Sequence, residues 1–238
     1  MRCHVTSADY ARIENGLPTL LRLAEIQNRA VSLYDVFQKR FLVKVDRHLE
    51  LLGYAPGEVP DLNVDRYHRM IPDADRAFVY DSEIRMHRYL NGPRVLDKRD
   101  YKLAYDYRVR GKGGQLVRFL HQLMVYEVDE SRVPWLFLVV SDVLSSYPEE
   151  QEPRRFLINR KSLKVHSLDG GEERRLLTNR ETVVAGLLGE GLDSRQIAER
   201  LGVSVSTINN HRQHLLEKLG VRNTVQAVTL LKFLGLLP

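Results

Sequence analysis

The sequence predicts an α+β domain, a five-stranded antiparallel sheet with flanking helices, followed by an all-α domain of four short helices. Two observations carry this prediction. Residues 30–147 contain runs of strand pattern separated by polar turns, with helical patterns inserted after the second run. Residues 176–238 contain capping residues and glycines at intervals typical of short helices. Residues 1–29 predict a helical segment, and residues 148–175 predict a linker with a short hairpin.

The composition favours a globular protein in a reducing compartment. The chain has 238 residues, 43% of them hydrophobic, which is enough for one or two domains with buried cores. Its net charge of +5 permits nucleic acid as a partner but is common in other proteins. The single cysteine, Cys3, excludes an intramolecular disulfide and a cysteine-based metal cage. Because no run approaches the ~18 apolar residues of a membrane span, and no signal peptide begins the chain, we expect a cytoplasmic protein with no membrane partner.

Hydrophobic spacing predicts the first elements. The segment from Leu17 to Ile26 is an amphipathic helix, because its leucines fall on one helical face. The segments "VSLYDVF" and "FLVKV" are strands, and the three polar residues between them predict a hairpin. A short helix from about His48 to Leu52 then ends at Gly53.

A longer helix and three strands complete the α+β domain. In "DADRAFVYDSEIRMHRYLNG", Phe78, Ser82 and Met86 recur at helical spacing until the Asn-Gly pair ends the helix. In "YKLAYDYRVR" the residues alternate between two faces of a strand. One face carries Tyr101, Leu103, Tyr105, Tyr107 and Val109, and the other carries Lys102, Asp106, Arg108 and Arg110. The turn "GKGG" leads into "QLVRFLHQLMVYEV", and a second polar turn leads into "PWLFLVVSDV".

This order of elements resembles a PAS sensory domain. The resemblance rests on "LELLGYAPGEV", "MIPDADRAFV", "DYRVRGKGGQLVRF" and "VVSDV", although Ile71 stands where the family has a histidine. It implies a domain that binds a small molecule or cofactor, or that dimerises, and the residues do not choose among these. A cysteinyl-flavin photosensor would need a cysteine in the helical segment that follows the second strand of the sheet. It is excluded because the single cysteine, Cys3, does not lie there. Haem stays open through four histidines, each of which is an ordinary residue on the alternative interpretation: His48, His68, His87 and His121.

The C-terminal segment carries four helix starts, each a capping residue followed three positions later by a residue that can reach back. The four pairs are Thr178 with Glu181, Asp193 with Gln196, Ser204 with Thr207, and Asn223 with Gln226. Gly191, Gly202 and Gly220 end the first three helices.

The two middle helices predict a helix-turn-helix. Only Gly202-Val203-Ser204 joins them, which suits a steep crossing, and the small Ala198 permits their close contact. Ile208, Leu215 and Leu219 form the buried stripe of the second of these helices.

The sequences "LTNRE", "GLDSRQIAERLGVSVSTINNH" and "LLEKLGVRNTVQAV" closely resemble the LuxR/GerE-type DNA-binding domain of bacterial transcription regulators. The resemblance covers all four helices and implies that Ser204 to Leu219 is the recognition helix in the major groove. Three departures bear on base preference: Gln196 for Glu, Thr224 for Arg and Asn209 for Lys.

The resemblance assigns roles on the recognition helix. Asn209, Asn210 and Gln213 are the candidates for base readout, since an amide can donate to N7 and accept from N6 of adenine. Ser206, Thr207, Arg212 and Lys218 are the candidates for phosphate contacts. On the alternative interpretation these are solvated residues, with Lys218 complementing the helix dipole and Thr207 completing the cap.

The last helix is apolar nearly all round, and the resemblance implies that it forms a homodimer through Val225, Val228 and Leu231. The alternative is docking on the N-terminal domain. His211 and His214 have metal-binding spacing, but no further ligand lies nearby in sequence, so no metal site is expected.

These observations predict a sequence-specific transcriptional regulator that binds double-stranded DNA under the control of the PAS-like domain. The alternative is a sigma-like or protein-interaction factor whose helix-turn-helix contacts transcription machinery such as RNA polymerase. An enzyme is not expected, because no phosphate loop, nucleophile elbow, metal cluster or pair of catalytic carboxylates is present. The N-terminal half also lacks the alternating strands and helices of a phosphoacceptor receiver.

Overall fold

The computed structural model describes most of the chain as two compact units. The first unit takes the residues up to Ser162 together with His166 and Leu168, and the second takes Leu163–Val165 and the C-terminal helices. The described residues are 4–27, 29–45, 47–55, 57–59, 63–93, 95–144, 152–166, 168 and 176–237, without the side chain of His48. Cys3 and residues 145–151 and 169–175, which include much of the predicted linker at 148–175, lie outside them.

A seven-stranded antiparallel sheet forms the first unit. Its strands are β1 Ala30–Asp35, β2 Arg40–Val45, β3 Tyr101–Arg110, β4 Leu116–Val128, β5 Pro134–Val143, β6 Arg155–Asn159 and β7 Val165–His166. Their order is β2-β1-β5-β4-β3-β6-β7, so the predicted five strands are contiguous in the sheet.

The predicted strand number of five is therefore wrong, because the hairpin expected in the linker belongs to the sheet. β6 runs antiparallel to β3, with Leu103 opposite Leu157. This pairing satisfies backbone groups along an edge that β3 would otherwise leave open. Leu157 and Ile158 are buried as a result.

Helices lie before the sheet and between its second and third strands. At the N-terminus, α1 Ser7–Glu14 and α2 Leu17–Ile26 pack against an apolar cluster that includes Leu33, Val43 and Trp135. Between β2 and β3 come α3 Arg47–Leu51, α4 Val64–Met70, α5 Asp73–Leu90 and a 3₁₀ turn at Lys98–Asp100. This arrangement of strands and helices is the predicted PAS-like fold.

The helix α4 was not predicted. Its residues "VDRYHRM" show no apolar stripe, and none of them is buried. The helix begins because the Asn63 side chain accepts a hydrogen bond from the backbone N–H of Arg66. The longer α5 was predicted, and it buries Val79, Met86 and Leu90.

The second unit has the four predicted helices, α6 Asn179–Gly189, α7 Ser194–Leu201, α8 Val205–Leu219 and α9 Thr224–Phe233. Each predicted capping residue accepts a hydrogen bond from its helix, and those of α6 and α7 form complete capping boxes. Gly202 and Gly220 end α7 and α8 in the left-handed region, with φ of 63° and 61°.

The core of the second unit also follows the prediction. Ile197 and Ala198 of α7 meet Ile208 of α8 together with Val184 of α6, and all four are buried. In the part of the chain that the structure describes, no helix combines the length and the apolar character needed to cross a membrane.

Candidate nucleic-acid interface and internal cavity

The helix α8 has one buried and one exposed face. Ile208, Leu215 and Leu219 are at most 1% exposed and anchor the helix in its unit, as predicted. The opposite face presents exposed polar residues at helical spacing: Ser206, Asn209, Asn210, Gln213 and Glu217. The domain core thus fixes which side chains of α8 can reach an external partner.

Asn209 and Asn210 are the two open amides of this face. Neither side chain has a hydrogen-bond partner among the described residues. By contrast, the Gln213 amide donates to a carboxylate oxygen of Glu217 at 2.9 Å. Two adjacent asparagines are poor helix formers, so α8 carries a helix-propensity cost at positions that contribute nothing to its core.

The residues predicted to contact phosphate differ in their surroundings. Ser206 is exposed, whereas Thr207 is half-buried beside the N-cap, and its backbone N–H donates to the Ser204 hydroxyl at 3.1 Å. Arg212 donates to the Ser194 hydroxyl at 2.6 Å and to the Thr224 hydroxyl at 3.0 Å. Arg212 therefore ties α8 to the first turns of α7 and α9.

Lys218 is held by an ion pair with α6. Its Nζ donates to both carboxylate oxygens of Glu181, at 2.8 and 2.7 Å. Burial acts to raise the pKa of Glu181, but the hydrogen bonds from Lys218 and Thr178 outweigh burial and hold the pKa below its ordinary value. The Lys218 side chain is still 40% exposed.

Only two of the three α9 residues predicted to form a dimer interface are accessible to solvent. Val225 is 68% exposed and Val228 is half-buried. Leu231, however, is fully buried in its own unit, so its prediction as an interface residue is corrected. An all-round apolar helix does not reveal from its sequence which side faces the core.

His211 and His214 occupy the flank and the exposed side of α8. Across the described ranges, no group of three or more His, Cys, Asp or Glu side chains is placed to hold a metal ion.

The first unit contains a partly open cavity of about 410 Å³ between the sheet and the helices α4 and α5. Apolar and aromatic side chains form most of its wall, among them Tyr34, Phe41, Val79, Met86, Phe137 and Val139. A volume of this size is typical of a small-molecule site.

One set of polar side chains in the cavity forms a hydrogen-bonded network. The hydroxyls of Tyr67 and Tyr107 are 3.1 Å apart, and that of Tyr107 lies 3.1 Å from Nδ1 of His121. The Ser141 hydroxyl also contacts this nitrogen, at 2.9 Å. Burial raises the pKa of Tyr107 well above its ordinary value, so the Tyr107 hydroxyl stays protonated.

A second polar group is the pair of Glu83 and Tyr105. The Tyr105 hydroxyl donates to Oε1 of Glu83 at 2.8 Å. Burial raises the pKa of Glu83, and the hydrogen bond from Tyr105 only partly offsets this effect. Sequence reasoning missed Glu83, although its position between Val79 and Met86 on the buried side of α5 was a usable signal.

Three of the four histidines considered for haem line the cavity. They are His68, whose Nδ1 lies 3.0 Å from the Tyr80 hydroxyl, His87 beside the Asn91 amide, and His121. The side chain of His48 lies outside the described residues.

Two helices joined by a three-residue turn, with a polar face on the second helix, define a helix-turn-helix domain. Residues 175–231 match the model of the family described as bacterial regulatory proteins, luxR family. The C-terminal unit therefore carries a domain of this family.

The chain is similar to the transcriptional regulatory protein UhpA of Salmonella typhimurium, with 50% identity over 50 residues that make up 21% of this chain and 26% of that protein. It is also similar to the DNA-binding transcriptional activator DevR/DosR of Mycobacterium tuberculosis, with 43% identity over 51 residues, or 21% of this chain and 24% of the relative. The chain thus spans about a quarter of the length of these curated relatives.

Among solved structures, the transcription factor GerE shares 37% identity, over 27% of this chain and 97% of that chain, with a TM-score of 0.27. The phage VqmA-DPO complex shares 19% identity, over 94% of this chain and 89% of that chain, with a TM-score of 0.36.

Proposed function

We propose that the protein is a sequence-specific transcriptional regulator that binds DNA through α8. The observation that carries this proposal is the pair of open amides, Asn209 and Asn210, on the exposed face of a LuxR-family recognition helix. An Asn amide can meet the N6 and N7 edge of adenine with two hydrogen bonds, which is worth about 1–3 kcal/mol of discrimination.

The other residues predicted to contact DNA differ in whether their side chains already make hydrogen bonds within the protein. Ser206 is exposed and ready to meet a phosphate. Four predicted residues already use their side chains in an internal hydrogen bond and keep their proposed roles only by exchanging or sharing it when DNA binds: Gln213, Thr207, Arg212 and Lys218. Gln213 would read bases after leaving Glu217, and the other three would contact the backbone.

The regulator acts as a homodimer in the cytoplasm and reads a pseudo-palindromic site. The exposed Val225 and the half-buried Val228 supply the α9 contribution to the dimer. The cavity of the first unit binds a small molecule that controls DNA binding, because its volume and its apolar wall fit a compact organic ligand. A regulatory role agrees with the curated relatives, which are transcriptional regulators.

The test begins with selection of bound sites from fragmented genomic DNA, followed by anisotropy titrations of the full chain at several salt concentrations. We expect affinity to fall steeply with salt, and Asn209→Ala and Asn210→Ala to relax base preference at one position of each half-site. Gln27→Ala removes an exposed amide far from α8 in sequence and serves as the matched control. Salt-independent binding, or unchanged base preference in both Asn variants, contradicts the proposal.

A further inference from the structure

Within the described part of the chain, the carboxyl group of Glu83 has few hydrogen-bond donors and no cation around it to stabilise its charged form. Its Oε1 accepts one hydrogen bond, from Tyr105, and among the described residues it has no ion-pair partner and no second hydrogen bond. The Glu83 side chain is half-buried, and a carboxylate withdrawn from water ordinarily has a cation or several donors around it, because its desolvation is otherwise costly. Glu83 instead lines a cavity with mostly apolar walls.

Several other polar side chains of the cavity are bonded to one another. Tyr67, Tyr107, His121 and Ser141 form the hydrogen-bonded network described above. Leaving the histidines aside, the described part of the wall holds two charged side chains, Glu83 and Lys44. The Nζ of Lys44 lies 5.9 Å from the centre of the Phe41 ring. A carboxylate has about four acceptor positions, so Glu83 keeps most of its capacity for an incoming donor.

Aromatic side chains line the same cavity as this acceptor. Tyr105 and Tyr107 stack with ring centres 5.6 Å apart, and Tyr34, Tyr67 and Phe137 also line the cavity. Aromatic rings favour flat ring ligands, and their faces attract ammonium groups. The raised pKa of Glu83 agrees with an acid that lacks a positive neighbour.

We infer that the cavity selects a small aromatic amine, whose ammonium group donates to the carboxylate of Glu83 while its ring packs among the aromatic side chains. This inference rests on the proposed function, in which the cavity holds a controlling ligand. It assigns to that ligand a chemical class and to Glu83 the role of its anchor.

The test uses three probes of similar size, 2-phenylethylamine, 2-phenylethanol and 3-phenylpropanoate, titrated into the full chain by ligand-observed NMR. We expect the amine to bind about tenfold or more tightly than the alcohol, as a hydrogen bond to a charged group allows. Glu83→Gln should reduce the amine to the affinity of the alcohol and leave the alcohol unchanged. Glu130→Gln, which removes an exposed carboxylate outside the cavity wall, should change neither.

The inference is overturned if the acid or the alcohol binds as tightly as the amine, if Glu83→Gln keeps the preference, or if the amine does not bind. Val139→Phe, which fills the cavity from β5, separates this failure from that of the proposed function. If the alcohol binds the wild type but not a folded Val139→Phe chain, the cavity is a ligand site and only the amine class is wrong. If no probe binds and Val139→Phe leaves DNA binding unchanged, ligand control through the cavity is wrong as well.

Discussion

Lys218 in the last turn of α8 donates two hydrogen bonds to Glu181, a buried residue of α6 that lies 37 positions earlier in the chain. Glu181 also accepts from the backbone N–H of Thr178 at the start of α6. One carboxylate thus caps α6 and fixes the far end of α8. The geometry gives Lys218 a structural role alongside the phosphate contact proposed for it.

Removal of Lys218 separates the two roles. We expect Lys218→Ala to lower the free energy of unfolding of the second unit by about 1–2 kcal/mol, because Glu181 stays buried without its cation. Amide hydrogen exchange of α6 and α8 in the full chain measures this loss. A double-mutant cycle with Glu181→Ala isolates the pair. If Lys218 also contacts phosphate, the salt dependence of DNA binding flattens, and Lys232→Ala, an exposed lysine of α9, provides the control.

The exposed and buried sides of α9 predict opposite behaviour for two apolar residues. Leu231→Ala should lower the free energy of unfolding by about 2–5 kcal/mol, since it opens a space in the core. Val225→Ser should change stability by less than about 0.5 kcal/mol but weaken self-association. Sedimentation velocity and hydrogen exchange measure the two effects. An unchanged dimer in Val225→Ser argues against the α9 interface.

Asp75 and Arg108 predict an acid-sensitive contribution to the first unit. Arg108 donates to the Asp75 carboxylate from Nε at 2.9 Å and from its backbone N–H at 2.7 Å. Burial acts to raise the pKa of Asp75, but these bonds dominate and hold it below the ordinary 3.8. Because the folded pKa is depressed, the stabilisation is complete above the unfolded value and is lost as the pH falls through the folded one.

Asp75→Asn should therefore lower stability at neutral pH by about 2 kcal/mol and reduce the loss of stability at acid pH. Fluorescence of Trp135, the one tryptophan of the sequence and a buried residue of the first unit, follows this unfolding. Equal acid sensitivity of wild type and Asp75→Asn would exclude this ion pair as a source of that sensitivity.

Glu83 predicts the opposite dependence on pH. Its pKa is raised by burial, so its charged form destabilises the folded chain increasingly as the pH rises through the ordinary value of 4.5 towards the folded one. Glu83→Gln should raise the Tm of the ligand-free protein at neutral pH, by about 2–4 °C for each kcal/mol of relief. The difference should vanish at acid pH. A variant that is less stable at neutral pH would show that the carboxylate supports the fold.

Most structural features that depend on nearby residues were predictable from the sequence, whereas pairings between distant segments were not. The helix starts at Thr178, Asp193, Ser204 and Asn223 were predictable because a cap involves residues three positions apart. The buried stripe of α8 was predictable because its period belongs to one helix. The pairing of β6 with β3 joins residues 50 to 58 positions apart, and the pattern of neither segment specifies its partner.

The candidate sites follow the same division. The exposure of Asn209 and Asn210 was predictable from the sequence, because it follows directly from the position of the buried stripe. The ion pair of Lys218 and the burial of Leu231 depend on how helices pack and were missed. The cavity and its carboxyl Glu83 arise only where strands and helices enclose a volume, so composition and spacing leave them unseen.

The two ends of the exposed face of α8 differ in their electrostatic character. Its N-terminal end offers free backbone N–H groups, the positive end of the helix dipole and neutral amides, whereas Glu217 places a negative charge nearer its C-terminal end. Phosphates are attracted to the first end, whereas at the second end Glu217 opposes them beside Lys218, whose charge is shared with Glu181. A duplex approaching this face would therefore orient the helix before any base is read, with its first turns inward and Glu217 tilted away.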